Sequence, residues 1–139
     1  MDKNLIRVYL DDVRIPIDKD WILVKSYEEF IAKIEELGLA NIDVISLDHD
    51  LGEGAMEEYF NNVSPNFTLD YKNINEKTGY DVAKWLVNKS MEKKMPLPLI
   101  YTHSANPIGS ANICGYINNY LMNCRLPQTC VRVRIEHAI

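Results

Sequence analysis

Three short apolar runs in this chain each end abruptly in polar, charge-bearing residues, and that pattern restricts the fold more than any other feature of the sequence. NLIRVYL, residues 4–10, stops at Asp11 and Asp12; DVISL, residues 43–47, stops at Asp48, His49 and Asp50; LPLIYTHS, residues 97–104, closes on His103 and Ser104. Such runs, β-branched or aromatic and bounded by polar residues, read as buried strands. WILVKS, residues 21–26, supplies a further short strand.

Between these runs the apolar period becomes helical. In YEEFIAKIEELG, Tyr27, Phe30, Ile31, Ile34 and Leu37 share a face, Ser26 stands as N-cap with Glu29 three residues on, and Gly38 stops the helix. TGYDVAKWLVNKSMEKK, residues 78–94, repeats the pattern through Val82, Trp85, Leu86 and Met91, with Thr78 at the cap, and NPIGSANICGYINNYLMN opens a last helix with Pro107 in its first turn. CVRVRIEHAI, residues 130–139, alternates and reads as a fifth strand. Strands alternating with helices imply an α/β domain with a mostly parallel sheet. Residues 53–77 break the pattern: polar, Asn-rich and without a period, they exceed an ordinary connection and read as a lid or binding insert.

A chain of 139 residues suits one domain, spanning 1–139. Its 47% hydrophobic and 25% charged residues are those of a globular protein, with no apolar run fit to span a bilayer and no secretory signal, so the expectation is a cytoplasmic protein without a membrane partner. A net charge of -5 argues against nonspecific binding of double-stranded nucleic acid, which needs Lys and Arg against phosphates. Cys114, Cys124 and Cys130 form no CxxC pair, which disfavours a zinc knuckle or a disulfide framework and predicts buried or half-buried thiols.

In parallel α/β sheets ligands bind beyond the carboxyl ends of the strands, so the three polar strand ends are expected to converge on one edge. Carboxylates brought together there repel, and burying them unpaired is expensive. A hard divalent cation, Mg²⁺ or Mn²⁺, held by Asp11, Asp12, Asp48 and Asp50, is the simplest compensator. In the blander reading Asp11 and Asp12 cap a loop and pair with Arg14. His103 and His49, with Asp48, form the candidate catalytic set, because imidazoles titrate near neutrality and a pair can give and take protons during attack on a phosphodiester. Alternation along the third strand sends Asp48 and Asp50 to one side and His49 to the other, which leaves His49 behind His103. Arg14 either grips phosphate or neutralises the acidic cluster. Ser104 and Asn106, with the N–H groups of the next helix, make an anion site or an ordinary cap. Gly79 would permit close backbone approach to a ligand.

YLDDVRIP, ISLDHDLG, TGYDVAKWL and HSANPIG, in this order and on these elements, resemble the receiver-like family described as cyclic-phosphate-processing receiver domains, over about residues 7 to 110. The resemblance implies the fold of a response-regulator receiver, a flavodoxin-like three-layer sandwich with a five-stranded sheet of order 2-1-3-4-5, and places Asp11, Asp12 and Asp48 in its acidic metal pocket. The chain departs from signalling receivers in two respects. A loop, VRIPIDKD, stands in place of the first receiver helix, and the lysine at the end of the last strand is missing, with Arg134 or His137 in its stead. The expected activity is therefore a metal-dependent phosphoesterase acting on a small phosphate-containing ligand, a cyclic nucleotide or a 2′,3′-cyclic-phosphate RNA end, rather than a phosphorylation switch. Tyr59, Phe60, Phe67 and Tyr71 of the insert would be available to stack on a base. The alternative is a module that binds such a ligand, or docks a protein partner, without turnover.

Overall fold

The computed structural model describes residues 5–138. Four parallel strands, β1 (Arg7–Leu10), β2 (Trp21–Val24), β3 (Val44–Leu47) and β4 (Leu99–Thr102), form a sheet of order β2-β1-β3-β4. The aligned register puts Val8, Ile22, Ile45 and Ile100 across one row, and Leu10, Val24, Leu47 and Thr102 across the next row on the same face. Three long helices cover that face: α1 (Tyr27–Leu37), α4 (Gly79–Lys93) and α5 (Pro107–Asn123). Phe30 and Ile34 of α1, Val82 and Leu86 of α4, and Ile113 and Ile117 of α5 join the strand residues in one buried cluster.

Local chemistry accounts for these helices. Ser26 Oγ accepts from Glu29 N–H at 3.1 Å, Glu29 reaches back to Lys25 N–H at 2.7 Å, and Gly38 closes α1 at φ 85°. Thr78 and Asp81 form a reciprocal capping box at the start of α4. No helix among the described residues is long and apolar enough to cross a membrane.

The structure corrects the expected fold in four places. First, CVRVRIEHAI is not a fifth strand. It makes a parallel bridge from Arg132 to Thr102 and an antiparallel bridge from His137 to Pro16, and nothing longer among the described residues. Cys130 is tied to Asn118 rather than to β4, the segment touches β4 only at its last residue, and it continues to the loop after β1, where Ile17 N–H donates to Glu136 O and Ala138 N–H to Ile15 O. Second, the domain has two layers rather than three. The opposite face of the sheet bears none of the three long helices: Trp21, Leu23, Val44, Leu99 and Tyr101 on it are half-buried to exposed, and only Tyr9 and Ser46, which contact His103, are buried. The loop that replaces the first receiver helix and the unpaired C-terminal segment leave nothing helical to cover it. Third, β1 begins at Arg7; Leu5 and Ile6 precede it, while Asn4, and Ile139 at the other end, lie outside the described residues.

Fourth, the 53–77 insert is largely helical: α2 (Glu53–Glu58) runs through a π turn (Tyr59–Val63) into α3 (Ser64–Asn66), followed by a 3₁₀ turn at Tyr71–Asn73. Polar bonds, more than an apolar stripe, hold it. The buried Glu58 carboxylate accepts from Asn62 Nδ2, Asn73 Nδ2 and Asp70 N–H at 2.7–2.9 Å, and Glu76 accepts from Ala55 N–H at 2.8 Å at the start of α2. Burial pushes the Glu58 carboxyl up, but these hydrogen bonds outweigh it and hold the group below its ordinary value.

Candidate functional site

The carboxyl ends of β1, β3 and β4 meet at one edge, and the loop after each strand turns its polar side chains inward. Asp11 is the hub. Its Oδ1 accepts from Val13 N–H (3.0 Å) and Arg14 N–H (2.8 Å), a local turn that follows from the aspartate standing two and three residues before them. Its Oδ2 accepts from Arg14 Nε at 2.9 Å and lies 3.2 Å from His103 Nε2. Asp48, on the next strand, accepts from His49 N–H at 2.8 Å, and its Oδ1 lies 3.5 Å from Arg14 Nη2. Arg14 thus stands between the two buried carboxylates. Asp12 completes the group: one oxygen each from Asp11, Asp12 and Asp48 fall within 4.8 Å of one another.

The charges do not cancel. Burial, and then the neighbouring Asp11, push the Asp48 carboxyl up to about 7, against the pull of Arg14. Asp12 is raised for the same two reasons. Asp11 is held below its ordinary value, because hydrogen bonds from His103 and the Arg14 and Val13 N–H groups outweigh its burial. Raised carboxyls of this kind mark negative charge that lacks a full counterion, so the three residues fit a hard cation that takes oxygen ligands.

His103 is fixed on all sides. Its ring stacks on Tyr9 at 4.1 Å with planes 9° apart, and its Nδ1 is 2.7 Å from Ser46 Oγ. Since an ionised Asp11 only accepts, Nε2 carries the proton and Nδ1 accepts from Ser46, which is the neutral tautomer. Burial lowers its pKa against the influence of Asp11, in keeping with a neutral ring. His137 of the C-terminal segment hydrogen-bonds Tyr9 Oη, and it too lies within 4.8 Å of Asp11 and His103 through one atom each. Both Asp11 oxygens already accept within the protein, Oδ1 from the Val13 and Arg14 N–H groups and Oδ2 from Arg14 Nε and His103.

His49 lies on the far side of β3 from Asp48, sealed at 0% exposure. Its Nδ1 is 2.6 Å from Asp50 Oδ1 and its Nε2 is 2.9 Å from Tyr71 Oη. Asn106 Nδ2 donates to the same Asp50 oxygen at 3.1 Å, while Asn106 Oδ1 caps α5 through Gly109 N–H at 2.9 Å. Asn106 is therefore a cap and a brace, and its amide faces protein on both sides. Ser104 is buried, accepts from Asn106 N–H at 3.1 Å and hydrogen-bonds Asp48. Gly79 does make a close approach, but to the chain itself. Its N–H donates to His49 O at 2.9 Å, and a Cβ there would stand 2.0 Å from the Asp48 carbonyl oxygen.

An acidic cleft of about 270 Å³ opens above these residues, lined by Asp11, Asp12, Arg14, Asp48, Asp50 and Ser104, with Met56 and Tyr59 of the insert on its far wall. Of the insert aromatics, Tyr59 reaches the cleft, Phe60 and Phe67 face solvent, and Tyr71 packs inward on Tyr80. Burial raises the Tyr71 hydroxyl to about 12, so it stays protonated. The thiols lie away from this edge. Cys114 and Cys130 touch at 3.4 Å, and Cys124 is exposed, contrary to expectation, because it follows the last turn of α5.

Tyr9 and Ser46 were not singled out from the sequence, although alternation along β1 would have put Tyr9 on the side of Asp11; His137 was named there only as a stand-in for the missing lysine. Fold and site together define a receiver-like α/β domain with an acidic cleft at the carboxyl ends of its strands. The family model described as cyclic-phosphate processing receiver domain matches residues 6–119, and the chain belongs to that family. No curated protein and no solved structure matches it.

Proposed function

We propose that the protein is a metal-dependent phosphoesterase that opens a cyclic phosphate on a nucleotide or an RNA end. The observation that carries this reading is the triad of Asp11, Asp12 and Asp48, whose oxygens converge within 4.8 Å while Asp48 and Asp12 are held above their ordinary range. Asp11, Asp12 and Asp48 would hold Mg²⁺ or Mn²⁺. The cation, when bound, would neutralise charge on the phosphate oxygens and lower the pKa of a bound water.

The chain's own groups supply the rest. Arg14, partly exposed in the cleft, presents guanidinium N–H groups to a phosphate while its Nε stays on Asp11. Asp50 lines the cleft with its Oδ1 fixed by His49 and Asn106, and would take a proton from water. His103 and His49 become positioning residues: the first aligns Asp11 through Nε2–H, the second aligns Asp50. Tyr59 and Met56 narrow the mouth and limit water. A receptor that binds the same ligand without turnover is the second reading, favoured by the fact that both nitrogens of His103 and of His49 are engaged within the protein.

One experiment separates the two readings. Nucleoside 2′,3′- and 3′,5′-cyclic phosphates and a 2′,3′-cyclic-phosphate RNA end are incubated with the protein and Mg²⁺ or Mn²⁺, then with chelator, and ring opening is followed by ³¹P NMR. Opening that stops with chelator supports the enzyme. Stoichiometric binding with the ring intact supports the receptor, and neither result with any compound would refute both.

A further inference from the structure

We infer that the C-terminal segment builds a second, cationic subsite, continuous with the acidic cleft, for a non-reacting phosphate of the same ligand. This rests on the ligand being a phosphate ester, as proposed above. Residues 130–138 are fastened along their length. Asn118 exchanges two hydrogen bonds with Cys130 at 2.8 and 3.0 Å, the Thr102 backbone bonds Val131 O and Val133 N–H, and the loop at Ile15–Ile17 pairs with Glu136 and Ala138. Between this strap and the strand ends lies a cavity of about 750 Å³, walled by Arg14, His103, Ser104, Arg132, Arg134 and His137 among others. That volume is ample for a small ligand.

Its charge sets it apart from the chain as a whole. Over the full sequence 20 acidic residues outnumber 15 basic ones, yet this cavity is lined by three guanidinium groups and one carboxylate, Glu136; Arg14 is paired with Asp11 and Asp48, so Arg132 and Arg134 supply its cationic character. Arg132 spends Nε and Nη2 on the Ser104 and Ala105 carbonyls, at 3.0 and 3.2 Å, which fixes its plane and leaves further N–H groups of the fork. Arg134 lines the cavity with no ion-pair or hydrogen-bond partner among the described residues. Guanidinium groups held around a concave site match the oxygens of a phosphate. Arg14, Ser104 and Ala105 line both this cavity and the acidic cleft, so one ligand can reach from one to the other.

The test uses the full chain and two probes. The first is a pair of compounds, a nucleoside 2′,3′-cyclic phosphate with and without a 5′-phosphate, whose affinities are measured by calorimetry. The compound with the 5′-phosphate is expected to bind about ten times more tightly, and Arg134→Ala, at an exposed position without partners, to remove that preference with the melting curve unchanged. Equal affinity for the pair, or a preference that survives Arg134→Ala, overturns the subsite and leaves the proposed function standing. If neither cyclic compound binds, the proposed function fails, and inorganic pyrophosphate decides the subsite by itself. Amide shifts in ¹⁵N-labelled protein confined to Arg14 and residues 131–138, and lost in Arg134→Ala, support it; no shifts there overturn it.

Discussion

Replacing Asp48 by Asn should make the cation-free protein more stable at pH 8 and leave its stability near pH 4 unchanged. Asp48 ionises at about 7 in the folded protein and at 3.8 ordinarily, chiefly because it is buried and next because it faces Asp11. A carboxyl whose folded value is raised favours the folded state while it is protonated, and that contribution is lost as pH climbs from about 4 through about 7. At 1.36 kcal/mol per pH unit, the distance from 3.8 to about 7 amounts to about 4 kcal/mol at pH 8. The asparagine amide would keep an acceptor for His49 N–H and carry no charge at any pH, so a chain of this length should gain roughly 10 °C in Tm. The assay is thermal unfolding of both proteins in chelator between pH 4 and 8. Equal melting temperatures at pH 8, or a less stable variant, would mean that Arg14 already neutralises Asp48. A cation at Asp11, Asp12 and Asp48 would then have no uncompensated charge to neutralise.

Three other perturbations test separate parts of the structure. Gly79→Ala drives a Cβ to 2.0 Å from the Asp48 carbonyl and should cost about 3 kcal/mol or more in urea unfolding; a loss below about 1 kcal/mol would show that α4 does not pack on the β3 end as described. Tyr71→Phe removes the hydroxyl shared by His49 Nε2 and Asn112 Nδ2 and should destabilise by about 1–3 kcal/mol while ligand affinity holds, whereas a change confined to affinity would place Tyr71 at the ligand. Glu58→Gln should loosen the insert, seen as faster hydrogen exchange at Asp70 and in the Asn62 region without loss of the global transition, because one side chain joins its two arms.

Legibility from sequence followed the physics of each element. The helix at Tyr27–Leu37 was plain because its apolar period and both caps are local, and the acidic strand ends were plain because parallel sheets send ligands to that edge. The insert misled because Glu58, an acidic residue, occupies the position where a buried apolar side chain would have shown a helical period. CVRVRIEHAI misled because its alternation suits a strand, while its backbone is taken up by Asn118 and the loop after β1 and meets β4 only at Thr102; pairing partners are a tertiary fact. His103 was legible as a site residue, but not its confinement between Tyr9, Ser46 and Asp11, which depends on strand register. Gly79 was legible as a point of close approach, while the neighbour it approaches came only with the packing of α4 on β3.

Everything proposed for the cleft depends on its binding a cation, and titration of Mn²⁺ followed by electron paramagnetic resonance tests that directly. One Mn²⁺ per chain is expected, displaced by excess Mg²⁺, and lost in Asp48→Asn and in Asp11→Asn proteins that still melt cooperatively. Undiminished Mn²⁺ binding in both variants, or none in the unaltered protein, would contradict it.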